Sequence, residues 1–126
     1  MNDKEKTLWG IHAGKTGDAD SLFLKKNFVA LGWSRMGDLK KIKADRESFK
    51  KAIAVNYPED KPGSVPVSAG QLYRFCHEMK VGDYIAYPSK KDKQIHVGKI
   101  EGEYKYDPTH ETGYPNLRAV KWLKTV

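Results

Sequence analysis

The pattern Glu-x-Lys, which can hold magnesium and activate water when a second carboxylate lies nearby, occurs three times in the chain. The copies begin at Glu59, Glu78 and Glu103. Only Glu103 and Lys105 fall in a predicted strand, and that strand has no obvious aspartate partner upstream. A metal-dependent nuclease therefore stays an alternative, while the chain itself is expected not to be an enzyme.

Other arrangements that could carry chemistry fail on spacing. Gly14-Lys15-Thr16 resembles the end of a phosphate-binding loop, but Trp9 stands where that loop requires its first glycine. The four histidines show no paired spacing, and Cys76 is expected on the apolar face of a helix. We therefore expect no catalytic residue, no metal and no cofactor.

The size and composition of the chain indicate one compact domain spanning residues 1–126. Of its side chains, 39% are hydrophobic and 11% aromatic, which is enough for a substantial core. No apolar run approaches the roughly 20 residues of a membrane-spanning helix, and the N-terminus lacks the apolar segment of a signal peptide. A single cysteine excludes an internal disulfide. We expect a cytoplasmic protein with no membrane partner.

The charge of the chain narrows the class of partner. Lys and Arg number 23 against 16 Asp and Glu, which gives a formal net charge of +7. Such an excess attracts polyanions over long distances, so nucleic acid is the leading partner. Because lysine supplies most of the excess, contact with phosphates is favoured over readout of base edges.

Hydrophobic patterning predicts strands and helices in alternation along the first part of the chain. A short apolar run predicts a strand over residues 7–12, and a helix over 18–26 follows, with Asn27 as a left-handed stop. Residues 28–33 are rich in strand-forming side chains and predict a second strand.

Two further helices are predicted in the middle of the chain. An apolar stripe at spacings of three and four predicts a helix over residues 45–57. The segment up to residue 68 contains three prolines and a glycine, which predicts an exposed loop. Ser68 and Gln71 form a capping-box pattern that predicts the start of the next helix, which ends at Gly82.

The last third of the chain is predicted to be a run of strands. DYIAYP and QIHVGKIEG flank the polar turn SKKDK as in a β-hairpin, and YKY and RAVKWL predict two more strands. Short strands must protect their edges, so we expect an α+β fold. Its centre would be a small, mostly antiparallel, partly closed β-barrel with two to three flanking helices.

Aromatic side chains beside clustered lysines suit a site for an extruded base, because a ring stacks on the base while cations hold phosphates. Trp33 is the first candidate, since it closes a predicted strand and is followed by the polar residues Ser34 and Arg35. Trp9 and Trp122 lie inside apolar strands and are expected in the core.

Several segments resemble known families. IHAGKTGDADSLFLKKNFVALGWS resembles the opening of the PUA-like superfamily readers, which include YTH, EVE and SRA-type domains. VGDYIAYPS, IHVGKIEGEYKY and AVKWL resemble the N-terminal PUA-like domain attached to Mrr-type restriction endonucleases, and the similarity covers nearly the whole chain. The resemblance implies the reader part of a restriction system, which binds modified double-stranded DNA by receiving a flipped base in an aromatic pocket. The nuclease would be a further domain of a longer protein or a separate subunit.

The same resemblance implies a set of pocket residues. Trp33 and Ser34 take the place of the Trp-Ser pair whose tryptophan walls a methylated-base pocket in the YTH branch. The triplet from His12 to Gly14 takes the place of that branch's polar triplet, and a further wall is assigned to the end of DYIAYPS. The expected base pocket is Trp33, Ser34, His12, Ala13, Gly14, Tyr87, Pro88 and Ser89.

Phosphate contacts must supply what stacking does not, because extruding a base costs a few kcal/mol and stacking returns about 1–3 kcal/mol. The cations expected to bind phosphates are Lys15, Arg35, Lys90, Lys91 and Lys93. Two alternatives to a DNA reader also stay open: an RNA-binding reader of the same superfamily and a protein-interaction module.

Overall fold

The computed structural model describes residues 6–12, 17, 19–109 and 113–126. Over those residues, six strands form one curled sheet that is accompanied by three α-helices. The strands are β1 (Leu8–Gly10), β2 (Phe28–Leu31), β3 (Tyr84–Pro88), β4 (Ile95–Ile100), β5 (Lys105–Tyr106) and β6 (Asn116–Thr125). The helices are α1 (Asp20–Lys26), α2 (Arg46–Asn56) and α3 (Val65–Tyr73).

The sheet has the order β1-β3-β4-β6-β2, and β5 pairs separately with β6. Only the pairing of β1 with β3 is parallel among the described strands. Strand β6 pairs with β4 through residues 120–125 and with β2 and β5 through residues 116–119, so the sheet curls around this one long strand. The expected α+β fold with a small, mostly antiparallel, partly closed barrel is confirmed.

Local sequence signals account for the first two helices. Helix α1 ends where Asn27 adopts a left-handed conformation (φ 62°) and its amide donates to the Phe23 carbonyl, as predicted. Helix α2 begins after Asp45, whose carboxylate accepts a hydrogen bond from the Ser48 amide at 2.7 Å. The buried side chains of α2 include Phe49 and Ile53, which belong to the predicted apolar stripe.

The start of α3 differs from the prediction. Helix α3 begins at Val65, directly after a 3₁₀ turn over Pro62–Ser64, and Ser68 lies within the helix, so the capping-box prediction is wrong. Proline is accepted in the first turn of a helix because the amide it lacks has no partner there, and Pro66 occupies such a position. A π-helical turn over Arg74–Glu78 then continues α3.

A buried arginine in β6 joins the sheet to the end of this helical segment. Arg118 is 1% exposed, and its guanidinium donates to the carbonyl oxygens of Phe75 (3.1 Å), Met79 (2.6 Å) and Gly102 (3.0 Å). Burial lowers the pKa of Arg118 from its usual value, although nearby Glu103 partly offsets this. The three carbonyls satisfy part of the buried guanidinium, whereas Nη2 makes no hydrogen bond within the described residues. None of the helices that the structure describes is both long and apolar enough to cross a membrane.

Candidate functional site

A half-open cavity of about 670 Å³ lies where the two edge strands, β1 and β2, fail to meet. Its walls come from the ends of these strands, from α3 with its π-helical turn, from the turn between β3 and β4, and from the segment before β6. The volume is within the range of about 300–1,000 Å³ that is typical of small-ligand sites. The open seam of the half-barrel is therefore the candidate functional site.

Four of the residues that line the cavity carry a large aromatic side chain. The four are Trp9, Trp33, Phe75 and Tyr114. Phe75 is 2% exposed, whereas the other three are only partly buried and pack against the core from the cavity side. Rings held around one space can stack on a planar ligand, and a nucleobase is such a ligand.

Trp33 occupies its position in a strained backbone conformation. It lies in the left-handed region (φ 49°, ψ 46°), which is rare for a bulky residue other than glycine. Its carbonyl accepts a hydrogen bond from the Met36 amide at 3.0 Å, which opens a short 3₁₀ turn. Such strain costs about 1–3 kcal/mol and is characteristic of ligand sites, so its presence at a cavity wall favours a functional role for the ring.

Trp9 is fixed by a buried carboxylate. Its indole Nε1 donates to Asp83 Oδ2 at 2.9 Å, and Asp83, which is 4% exposed, also accepts from the amides of Lys80 (2.9 Å) and Thr7 (3.2 Å). Burial alone would raise the pKa of Asp83, but these hydrogen bonds and the charge of Lys6 lower it below its usual value. The structure therefore corrects the expectation that Trp9 is a core residue, since its ring lines the cavity.

Four residues with polar side chains also line the cavity: His12, Gln71, Arg74 and Lys90. Gln71 and Arg74 are one helical turn apart, and neither side chain makes a hydrogen bond or ion pair with any residue that the structure describes. An amide and a guanidinium beside aromatic walls can recognise the polar edge and the charge of a planar anionic ligand.

The structure brings together only part of the predicted site. Trp33, His12 and Lys90 line the cavity. Ala13, Gly14 and Lys15 lie outside the described residues. Ser34 does not line the cavity and is exposed at the start of the 3₁₀ turn Ser34–Met36 that follows Trp33.

The wall predicted at the end of β3 is wrong. Tyr87 is 1% exposed, its ring meets that of Phe23 edge-to-face with centroids 4.9 Å apart, and its hydroxyl donates to Asp20. Burial, followed by the hydrogen bond to Asp20, raises the pKa of Tyr87 above its usual range. Ser89 is also buried and donates to Asp20 at 2.7 Å, while Pro88 is exposed at the strand end. These residues support the hairpin and do not line the cavity.

The predicted phosphate-binding cations lie in different environments. Arg35 is held at the end of α2, where it pairs with Glu59, stacks over the Tyr57 ring at 4.1 Å and donates to the Asn56 carbonyl at 2.9 Å. The Arg35 prediction therefore has no support, because these contacts already occupy its guanidinium. Lys91 and Lys93 are exposed on the turn between β3 and β4.

The groups considered for catalysis are dispersed. Glu103 and Lys105 are both exposed, and within the described part of the chain no three His, Cys, Asp or Glu side chains cluster as metal ligands would. Burial raises the pKa of Cys76 to about 11, so its thiol is protonated at neutral pH.

Sequence patterns did not place Phe75 or the helical polar residues at the cavity. Phe75, Gln71 and Arg74 reach it because α3 and its π-helical turn pack across the seam of the sheet. A π-helical turn is frequent at functional sites, but nothing in the local sequence marks this one.

These features define a small α+β half-barrel with an aromatic cavity and basic side chains at its open seam. The family model described as "Domain of unknown function (DUF8426)" matches residues 9–126, and the chain belongs to this family. Neither the curated proteins nor the solved structures include a significant match to the chain.

Proposed function

We propose that the chain is a nucleic-acid-binding module that recognises modified DNA by accommodating a flipped base in the seam cavity. The observation that carries the proposal is the convergence of four aromatic side chains with Arg74 and Lys90 around one half-open space. Rings stack on an extruded base, and cations attract the phosphates on either side of it. The net charge of +7 favours the approach of a polyanion.

The energetics assign different tasks to the two kinds of side chain. Extrusion of a base costs a few kcal/mol, and each stacked ring returns about 1–3 kcal/mol, so stacking alone approximately balances the cost. A methyl group adds about 0.8 kcal/mol when it is buried, which makes a close fit of the aromatic walls necessary for selectivity. Phosphate contacts then supply the net affinity.

The resemblance to the PUA-like domain of Mrr-type endonucleases supports the reader part of a cytoplasmic restriction system. In this arrangement the chain binds the modified site, and a separate domain or subunit cuts the DNA. The cavity is suited to binding, because the residues that line it include aromatic side chains, the Gln71 amide and the cations Arg74 and Lys90.

A panel of short duplexes tests the proposal. The duplexes carry 5-methylcytosine, hydroxymethylcytosine, methyladenine or no modification, and binding is measured by fluorescence anisotropy at several salt concentrations. We expect one modified duplex to bind at least about tenfold more tightly than the unmodified duplex, whose binding is weak and salt-sensitive. Equal affinity for all of them would contradict modified-base recognition.

The same assay separates the alternatives. Matched RNA strands that compete better than DNA would identify an RNA-binding reader. Cleavage that needs magnesium, and that is lost on replacement of Glu103 or Lys105, would identify a nuclease. Absence of any salt-dependent binding to oligonucleotides would favour a protein-interaction module.

A further inference from the structure

We infer that Arg46 and Arg74, whose guanidinium groups converge over Gly70 of α3, clamp the phosphate next to the base in the cavity. The inference rests on the proposed function and extends it from the base to the backbone. It also gives a role to Arg46, which is not itself part of the cavity lining.

The geometry of Gly70 defines the clamp. A methyl group at this position would come within 3.1 Å of Arg74 Nη1 and 3.3 Å of Arg46 Nη1. Both guanidinium groups therefore lie against the same bare turn of helix, one reaching it from α2 and the other from the π-helical turn. Because Arg74 also lines the cavity, the two groups stand at its edge.

The charges at this point are unbalanced. Arg46 Nη2 donates to Glu78 Oε2 at 3.1 Å and its guanidinium lies over the Tyr73 ring at 5.1 Å, so its position is set by the protein. Arg74 forms no ion pair with any residue in the described ranges. Two adjacent positive charges with a single carboxylate partner leave an excess that an anion would neutralise.

A phosphodiester is the anion that fits this position. Guanidinium groups bind phosphate through paired N–H donors, and two of them can hold one phosphate from two sides. The neighbouring cavity takes a planar ring, and in a nucleic acid each base is joined through its sugar to a phosphate. The aromatic walls and the arginine pair would therefore bind the two ends of one nucleotide.

Gly70→Ala and Arg74→Gln test the clamp with different severity. Alanine is a better helix former than glycine, so the fold is expected to persist, while the added methyl group shifts the flexible ends of both arginines by a few tenths of an ångström. Arg74→Gln removes one charge from the pair. Lys51→Ala serves as the matched control, because it removes one exposed charge from α2, the helix that carries Arg46.

We expect Arg74→Gln to weaken binding of the preferred modified duplex by roughly tenfold to a hundredfold, the usual effect of losing a hydrogen bond to a charged group, and Gly70→Ala to weaken it by a smaller factor. The loss in Lys51→Ala should be far smaller. Circular dichroism and thermal unfolding of each variant confirm that the loss does not come from unfolding.

Neutral phosphates locate the contact on the DNA. A methylphosphonate next to the modified nucleotide should weaken binding to the parent protein and weaken binding to Arg74→Gln by a smaller factor, because only Arg46 still contacts that phosphate in the variant. The same substitution several nucleotides away should weaken both proteins equally.

The outcomes distinguish the two proposals. If the parent shows no preference for a modified duplex, the proposed function fails, and the clamp fails with it. If the preference is present and Arg74→Gln binds like Lys51→Ala, the clamp alone is overturned. Equal methylphosphonate effects in the parent and Arg74→Gln would overturn it as well.

Discussion

The indole Nε1 of Trp9 donates a hydrogen bond to Asp83 Oδ2 over 2.9 Å. Trp9 belongs to β1 and Asp83 lies just before β3, so this contact ties the cavity wall to the start of the neighbouring strand. The same carboxylate accepts from the amides of Thr7 and Lys80. One buried charge therefore sets the position of a ring that lines the cavity.

Asp83→Asn should destabilise the fold by about 1–3 kcal/mol, because the amide replaces one acceptor oxygen with a donor that faces buried N–H groups. The free energy of unfolding in urea at pH 7 measures the effect. Asp60→Asn is the control, since Asp60 is the acceptor of no side-chain hydrogen bond from the described residues. An equal, small effect of both substitutions would contradict a structural role for the Asp83 charge.

The lowered pKa of Asp83 also predicts a dependence of stability on pH. The ionised carboxylate stabilises the folded state, so its contribution is complete above the ordinary value of 3.8 and is lost as pH falls through the lower pKa of the folded protein. Unfolding curves between about pH 5 and 2 should show this loss in the parent and a smaller loss in Asp83→Asn. The same acid sensitivity in both proteins would exclude Asp83 as its source.

Substitutions of Trp33 should separate binding from stability. Trp33→Ala and Trp33→Gly both remove the ring, so both should abolish the preference for modified DNA and leave weak, salt-sensitive binding. Because Trp33 has φ 49°, the glycine variant should be more stable than the alanine variant by about 1 kcal/mol. Duplex binding and urea unfolding provide the two readouts.

Asn27 provides a matched control for Trp33, since it also has a left-handed backbone (φ 62°) but lies outside the cavity lining. Asn27→Gly should likewise be more stable than Asn27→Ala, and neither should alter the preference for modified DNA. If the Asn27 variants change this preference as strongly as the Trp33 variants, the binding effect cannot be assigned to the Trp33 ring.

Charge reversal at Lys91 and Lys93 should weaken binding to all duplexes by the same factor, because both side chains are exposed on a turn. The plot of log affinity against log salt concentration has a negative slope, and each lost phosphate contact should make this slope less steep by about 0.9. Lys90→Gln should instead reduce the preference itself, since Lys90 lines the cavity. A reduced preference in the Lys91 and Lys93 variants, with a uniform loss in Lys90→Gln, would contradict these separate roles.

Tyr87→Phe should lower the free energy of unfolding by about 1–3 kcal/mol and leave the preference for modified DNA unchanged. The substitution keeps the ring packed on Phe23 but removes the hydroxyl that donates to Asp20. Ser89→Ala removes a second side-chain donor to Asp20, together with the acceptor of the Lys91 and Asp92 amides, and should also lower stability without changing the preference. A change of base preference in Tyr87→Phe would instead indicate that Tyr87 contributes to base recognition.

Most of the fold follows from local patterns in the sequence. The aspartate cap and the apolar stripe of α2 lie close together in the chain, and so do the strands β3 and β4 and their polar turn. Prolines are harder to interpret, because they favour loops in general yet also open helices, and the latter holds at Pro66 of α3.

The site depends on long-range packing and is predictable only in part. Trp33 closes the predicted second strand, so the strand pattern points to it, whereas His12 is assigned by the resemblance alone. Arg74 and Phe75 reach the cavity because of how a helix crosses the seam, which no local pattern specifies. Tyr87 is the converse case, since it is assigned to the pocket at the end of DYIAYPS but its position in β3 buries it.

Arg118 binds the carbonyls of Phe75 and Met79, and both of these residues line the cavity. A cavity wall that is anchored to the middle of the sheet has its shape before a ligand binds, so binding requires little ordering of the wall side chains. Under the proposed function, discrimination among ligands would then be set by dissociation rates instead of by a closing movement.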